Sequence, residues 1–307
     1  MTLGLTVQSF AAFSYYNTFY NTDWTSTGVG GMRGTGTQSL TLSGVSGTVT
    51  AAYLFWDGPT DSTNPAANAS VLFNGTAVTG SNIGISRDNN WGFLNSQGYR
   101  ANVTSLVSGN GVYSLANFVK GRDVDVNGVS LYVTYSDGNT ANNRDLVLFN
   151  GNDSNLGNAS DPLGWDVSLN GITYTSGTAN LRMTVSDGQD LGPDEAIFLN
   201  GGQLVGVGPT WQGALGPNIL GNGSLWDEKT FNITPFLTLG TNNLHLQTVG
   251  PLTDAMSLVV AAIDLPAGSA PPPPSAVPEP STYGLVGAGL LGALALSRRR
   301  RTVSTNR

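Results

Sequence analysis

A serine or cysteine hydrolase needs an imidazole beside its nucleophile. This chain has one histidine, His245, and no cysteine. His245 stands between Leu244 and Leu246 in an alternating run, the place of an outward-facing strand residue, and no Gly-x-Ser-x-Gly elbow accompanies it. Glycoside hydrolysis needs two placed carboxylates, usually with one kept protonated by its surroundings. The glutamates ahead of the proline-rich segment are Glu195 and Glu228, each beside an aspartate, Asp194 and Asp227. Such pairs suit a metal as well as a sugar, and both are expected at surface turns. Asp123-Val-Asp125, with Asn127 and Gly128, has the spacing of oxygen ligands in a calcium loop but lacks the closing glutamate. No cofactor is expected, and structural calcium at Asp123 and Asp125 is the one alternative kept open. Trp211 and Trp226, in the Gly-rich region after the second Asn-Gly turn, and Trp91, their rough counterpart, are candidates for stacking on sugar rings. Plugging the end of a sandwich core is the other role open to them. No residue is assigned to catalysis.

The elements that must carry these residues follow from composition and periodicity. Hydrophobic residues make up 39% and charged residues 11% of the 307 positions, a balance suited to short strands joined by polar turns. Five of the thirteen basic residues lie in the last ten positions, so the body is more acidic than the net charge of −7. Such a surface repels phosphate backbones and argues against nucleic-acid binding. Between residues 24 and 266 apolar residues recur mainly at a spacing of two, with Gly, Asn and Asp between runs. Val49 to Trp56 is apolar on both faces and reads as a central strand, while Leu181, Met183 and Val185 alternate with Arg182 and Thr184.

The two halves repeat weakly. Val71-Leu-Phe-Asn-Gly75 matches Ile197-Phe-Leu-Asn-Gly201, Asn102-Val-Thr104 matches Asn232-Ile-Thr234, and Ser130-Leu-Tyr-Val133 matches Ser257-Leu-Val-Val260. A domain-sized period predicts two similar β-sandwiches, and each Asn-Gly predicts a tight hairpin. The pattern from Asp194-Glu-Ala-Ile-Phe-Leu-Asn-Gly201 to the alternating strand at Leu244 and Leu246 resembles galactose-binding-like jelly rolls. The first half, from Gly28-Val-Gly-Gly-Met-Arg-Gly34 through Ala52 to Trp56 and on to Arg144–Gly151, resembles repeat domains of prokaryotic surface proteins.

At the C-terminus four prolines, Pro271–Pro274, mark an extended spacer. Tyr283 to Leu296 is uncharged and apolar, with Tyr283, Leu285, Val286, Leu290, Leu291, Leu294 and Leu296 as its large side chains, and Arg298, Arg299, Arg300 and Arg301 follow. As a helix these fourteen residues reach roughly 21 Å, against about 30 Å of hydrocarbon. The span is short, and the arginines would hold its end on the cytoplasmic side. The order Val277-Pro278-Glu279-Pro280, small polar residues, apolar helix and arginine cluster resembles the PEP-CTERM sorting signal. That resemblance implies Pro278, Glu279 and Pro280 as the sorting motif, an exosortase-type enzyme as processing partner, transient inner-membrane anchoring, and export to the surface or matrix of a Gram-negative, often biofilm-forming bacterium. The family also has an N-terminal signal peptide, whereas Met1 to Ala12 has no basic residue and is interrupted by Gln8 and Ser9. A missing or incomplete signal peptide is expected.

The expected organisation is an all-β chain: an N-terminal segment 1–23, jelly-roll-like sandwiches at 24–155 and 156–266, a proline-rich linker at 267–280, a hydrophobic sorting helix with its arginines at 281–301, and a tail at 302–307. The expected function is a noncatalytic structural or adhesive protein of the surface or exopolysaccharide matrix. A carbohydrate-binding module with exopolysaccharide or cell-surface glycan as partner, and an extracellular hydrolase, are the alternatives. A carboxylate pair facing a cleft would favour the last.

Overall fold

The computed structural model describes residues 13–86, 92–156, 164–218, 221, 223–250 and 254–272. Trp91, the Pro278-Glu279-Pro280 motif, the apolar segment from Tyr283 and the arginines Arg298 to Arg301 lie outside the described residues.

The described chain is all β apart from two single 3-10 turns, Thr104–Leu106 and Thr234–Phe236. In chain order the strands of the first half are β1 (Ser14–Val29), β2 (Gln38–Leu42), β3 (Thr48–Thr60), β4 (Ser70–Phe73), β5 (Thr76–Thr79), β6 (Ser81–Ser86), β7 (Asn95–Asn102), β8 (Gly111–Ala116) and β9 (Gly128–Ser136). Those of the second are β10 (Arg144–Ser154), β11 (Asp166–Tyr174), β12 (Asn180–Ser186), β13 (Ala196–Leu199), β14 (Gly202–Val205), β15 (Trp226–Asn232), β16 (Gly240–Val249) and β17 (Ser257–Pro266). They form one nine-stranded sheet, β15-β12-β17-β10-β1-β9-β3-β7-β6, and two four-stranded sheets, β2-β8-β4-β5 and β11-β16-β13-β14.

Strand β1 explains the large sheet. Its first part pairs with β10, from Ser14↔Asn150 to Thr22↔Arg144, and its second with β9, from Asp23↔Tyr135 to Val29↔Val129. Register shifts at Tyr15/Asn17 and Phe19/Thr22 lie in the first part, and such bulges bend a strand and increase its twist. The two wings of the large sheet thereby turn toward each other. Each wing is covered on its other face by a small sheet, so four β layers enclose three apolar interlayers.

Alternation along β3 shows the layering. Ala52, Leu54 and Trp56 enter the core under β2-β8-β4-β5, together with Phe73 and Leu131. Ala51, Tyr53 and Phe55 point the other way, into a seam shared with Tyr132, Leu146, Leu148, Val260 and Trp226. The strand read as apolar on both faces is thus buried on both. In the second half Leu181, Met183, Val185, Val147 and Phe149 fill the core under β11-β16-β13-β14. Fully burying one such aliphatic or aromatic side chain is worth about 1.5–3 kcal/mol, so each of the three interlayers is a substantial source of stability.

The repeat is visible in local geometry. Asn74 (φ 50°) with Gly75 (φ 75°) and Asn200 (φ 51°) with Gly201 (φ 76°) turn equivalent hairpins in the left-handed region that Asn and Gly tolerate. In both 3-10 turns an asparagine side chain accepts from the threonine amide two residues on, Asn102 from Thr104 at 3.0 Å and Asn232 from Thr234 at 2.9 Å. The threonine hydroxyl then accepts an amide at 2.9 Å, from Ala52 in one half and Ala179 in the other.

Candidate functional site

Ala52 lies at the start of the buried part of β3 and Ala179 stands just ahead of β12, so the repeat makes these strands counterparts. Each carries Asp-Gly toward its far end: Asp57-Gly58 within β3 and Asp187-Gly188 just after β12. The seam brings these two aspartates to one recess, lined also by Ser96, Asn127, Ser154 and Ser257.

Local structure fixes each carboxylate. Asp57 continues the seam-facing row of Ala51, Tyr53 and Phe55, between Gly98 on β7 and Gly128 on β9. A Cβ at Gly128 would lie 2.5 Å from Trp226 Cδ2, so only glycine admits the indole there. Asp187 sits in the left-handed region at φ 68°, which Asp and Asn adopt more readily than other side chains, and its amide donates to the Leu225 carbonyl at 2.9 Å. Serines line the floor in register, with Ser257 of β17 between Ser154 of β10 and Ser186 of β12. The Ser96 and Ser257 hydroxyls meet across the seam at 3.3 Å.

One hydrogen-bonded chain ties the halves together. The Asn127 amide donates to the Asp57 carbonyl at 2.9 Å, and its side-chain Nδ2 donates to Ser186 Oγ at 3.0 Å. Arg33 donates through Nε and Nη2 to Asn127 Oδ1, at 3.0 and 2.7 Å, and through Nη2 to Asp187 Oδ1 at 2.9 Å.

The remaining acid oxygens are not matched. Asp57 is 1% exposed, Asp187 4% and Asp254 7%, yet among the described residues both oxygens of Asp57, Oδ2 of Asp187 and both oxygens of Asp254 lack a hydrogen bond of normal geometry. Burial pushes the Asp57 carboxyl up to about 7, helped by repulsion from Asp187 and opposed by Ser186 and Arg33. Burial, with repulsion from Asp187 and Asp194, pushes Asp254 up to about 8. Asp187 is also raised by burial, against the pull of Arg33.

The acid pairs singled out in sequence are not at surface turns, which corrects that expectation. Asp194 is 2% exposed, Glu195 4% and Asp227 1%. Asp194 Oδ2 accepts from the amides of Thr210 and Trp211 at 2.7 and 2.6 Å, and Asp227 from Gly213 and Ala214 at 2.6 and 3.0 Å. These carboxylates pin the loop before β15. Glu195 accepts from Asn155 Nδ2; Glu228 pairs with Arg182 and accepts from Ser130. The loop is rich in Gly, so its backbone amides need such partners, and this is why acids that resembled solvated turn residues are buried.

Trp211 and Trp226 are 1% and 0% exposed. Trp211 packs edge-on to Trp165 and Phe231, and Trp226 donates to Ser130 Oγ at 2.9 Å within the seam. Core filling, not an open ring face, is the role they take. Asp125 accepts from Gly34 N through both oxygens, at 3.0 Å each, and from Val126 N at 2.8 Å; the Asp123 carbonyl accepts from Asp61 N at 2.9 Å. His245 lies on β16 with the buried Leu244 and Leu246 on either side, and pairs with Asp166 at 2.7 Å. Among the described residues no three His, Asp or Glu side chains form a ready metal cage. Asp57 and Asp187 escaped sequence reading, and the signal that finds them is the Asp-Gly recurring 130 positions apart toward the ends of matched strands.

Comparison with known proteins places the other end of the chain. The PEP-CTERM protein-sorting motif matches residues 276–301. No curated protein matches the chain. Among solved structures, a peptide-N(4)-(N-acetyl-beta-D-glucosaminyl) asparagine amidase aligns at 13% identity and TM-score 0.31, over 81% of this chain and 98% of that one. A second, PNGase F, a glycosylasparaginase from Flavobacterium meningosepticum, aligns at 12% identity and TM-score 0.27, over 83% and 98%. Likenesses this distant carry no argument about activity. The motif implies export and processing by an exosortase-type enzyme, and the chain thus carries a PEP-CTERM protein-sorting motif after an all-β body.

Proposed function

We propose that this exported protein is a noncatalytic structural or adhesive component of the bacterial surface or exopolysaccharide matrix. The observation that carries the reading is the sorting motif at residues 276–301 on a body in which Trp211, Trp226, Asp194 and Asp227 hold layers and loops together. Three apolar interlayers and a buried Arg33–Asp187 pair across the seam suit a rigid module outside the cell. With Trp211 and Trp226 inside the protein, a glycan-binding role has to be carried by other side chains.

A hydrolase is the second reading, favoured by one observation. Asp57 and Asp187 line one recess, burial raises both carboxyls, that of Asp57 to about 7, and two carboxyls at one recess are what acid–base hydrolysis uses. A glycan array and a panel of chromogenic glycoside and amide substrates separate the readings. The structural reading expects no turnover above buffer. Turnover lost on Asp57→Asn would replace it with the hydrolase.

A further inference from the structure

We propose that the recess between the two halves binds one divalent cation of the calcium class, held by Asp57 and Asp187 and completed by serine and water oxygens. The site is distinct from the Asp123–Asp125 loop, whose Asp125 carboxylate is already taken by backbone amides.

The first argument is charge. Asp187 acts on Asp57, and Asp187 and Asp194 act on Asp254, through the protein interior; among the described residues Arg33 is the cation paired with them, on Asp187. A buried carboxylate must be protonated, paired or metal-bound. The second argument is geometry. Asp57 is 1% exposed, lines the recess, and has two oxygens without a hydrogen bond of normal geometry among the described residues; Asp187 adds one more from the opposite half. The third is donor chemistry. Asp57, Asp187, Ser96, Ser154 and Ser257 offer oxygen, while the chain has no cysteine and its one histidine, on β16, pairs with Asp166 of β11. Oxygen-only donors select hard cations, and an irregular oxygen set suits calcium better than the strict octahedron of magnesium. Two carboxylates rather than three converge here, which places the affinity in the millimolar to sub-millimolar range of extracellular calcium modules. An exported protein meets calcium at such levels. The ion would occupy the seam between pseudo-symmetric strands β3 and β12 and lock one half against the other.

The test is terbium luminescence excited through tryptophan, with calcium competition and thermal unfolding in EDTA and in calcium, on the full chain. The expected result is saturable terbium emission displaced by calcium with half-saturation at roughly 0.1–1 mM, and a Tm rise of about 3–6 °C at tenfold excess over the dissociation constant. Asp57→Asn should weaken calcium at least tenfold without lowering Tm in EDTA. Asp187→Asn should do the same to calcium, with a lower Tm in EDTA from the lost Arg33 pair. Asp123→Asn should leave the shift intact. Absence of any calcium shift, or a shift that survives Asp57→Asn, or one abolished by Asp123→Asn, overturns the proposal. Chromogenic turnover would overturn the noncatalytic reading without touching this one.

Discussion

Replacing Asp57 by asparagine should stabilise the protein at pH 8 and change little at pH 4. The side chain is 1% exposed with neither oxygen in a hydrogen bond of normal geometry among the described residues, and burial raises its carboxyl from 3.8 to about 7. In the unfolded chain the proton leaves near the ordinary value; in the folded protein it stays until near neutrality. Between those values the native state binds more protons, so stability falls as pH rises. The contribution is fully present below the unfolded value and is lost as pH passes through the folded one. A shift of about three units corresponds to about 4 kcal/mol at about 1.36 kcal/mol per unit. Asparagine keeps the shape and has no proton to lose. Urea unfolding in EDTA at pH 4, 6 and 8 reads this directly. With an m-value of about 3 kcal/mol/M, the variant's midpoint should exceed the parent's by about 1 M at pH 8 and match it at pH 4. The variant retains the fall caused by Asp254, which titrates at about 8. A variant less stable than the parent by the same amount at all three pH values would refute the reasoning, because it would mean that Asp57 is ionised and partnered throughout.

Other perturbations test the rest of the architecture. Arg33→Met strips Asp187 and Asn127 of their partner and should cost about 3–5 kcal/mol, since it strands a buried charge; urea unfolding at pH 7 checks it. Gly128→Ala puts a Cβ 2.5 Å from the Trp226 ring and should cost about 1–3 kcal/mol by overpacking, with a change in the near-UV circular dichroism of that indole. Asn200→Ala removes a left-handed turn residue whose side chain accepts from His245 N and donates to Asn243 O, each at 2.8 Å; a loss of about 1–2 kcal/mol is expected, read as a lower Tm.

Sequence reading succeeded where the determinants are local. Period-two alternation placed Leu181, Met183 and Val185 in one core, and the two Asn-Gly pairs turn the hairpins at 74–75 and 200–201. The apolar stretch Val49–Trp56 was legible as central because both its faces needed a partner. The site was not legible because it arises from pairing more than 100 residues apart. Nothing near Asp57 in sequence says that β1 will bend and carry Asp187 opposite it. Asp-Gly ordinarily reads as a turn, so a carboxylate at the end of a buried strand was hidden by its own glycine. Trp226 likewise has Gly-rich neighbours, and only the absence of a side chain at Gly128 on a distant strand creates its place in the seam.

The most direct test of the account is fractionation of the producing cells combined with intact mass of the native protein. The sorting motif at residues 276–301 predicts recovery outside the cytoplasm as a processed species ending near residue 280, and retention of the unprocessed chain when residues 276–301 are deleted. Full-length protein in the cytosol, or an unchanged destination after that deletion, would contradict it.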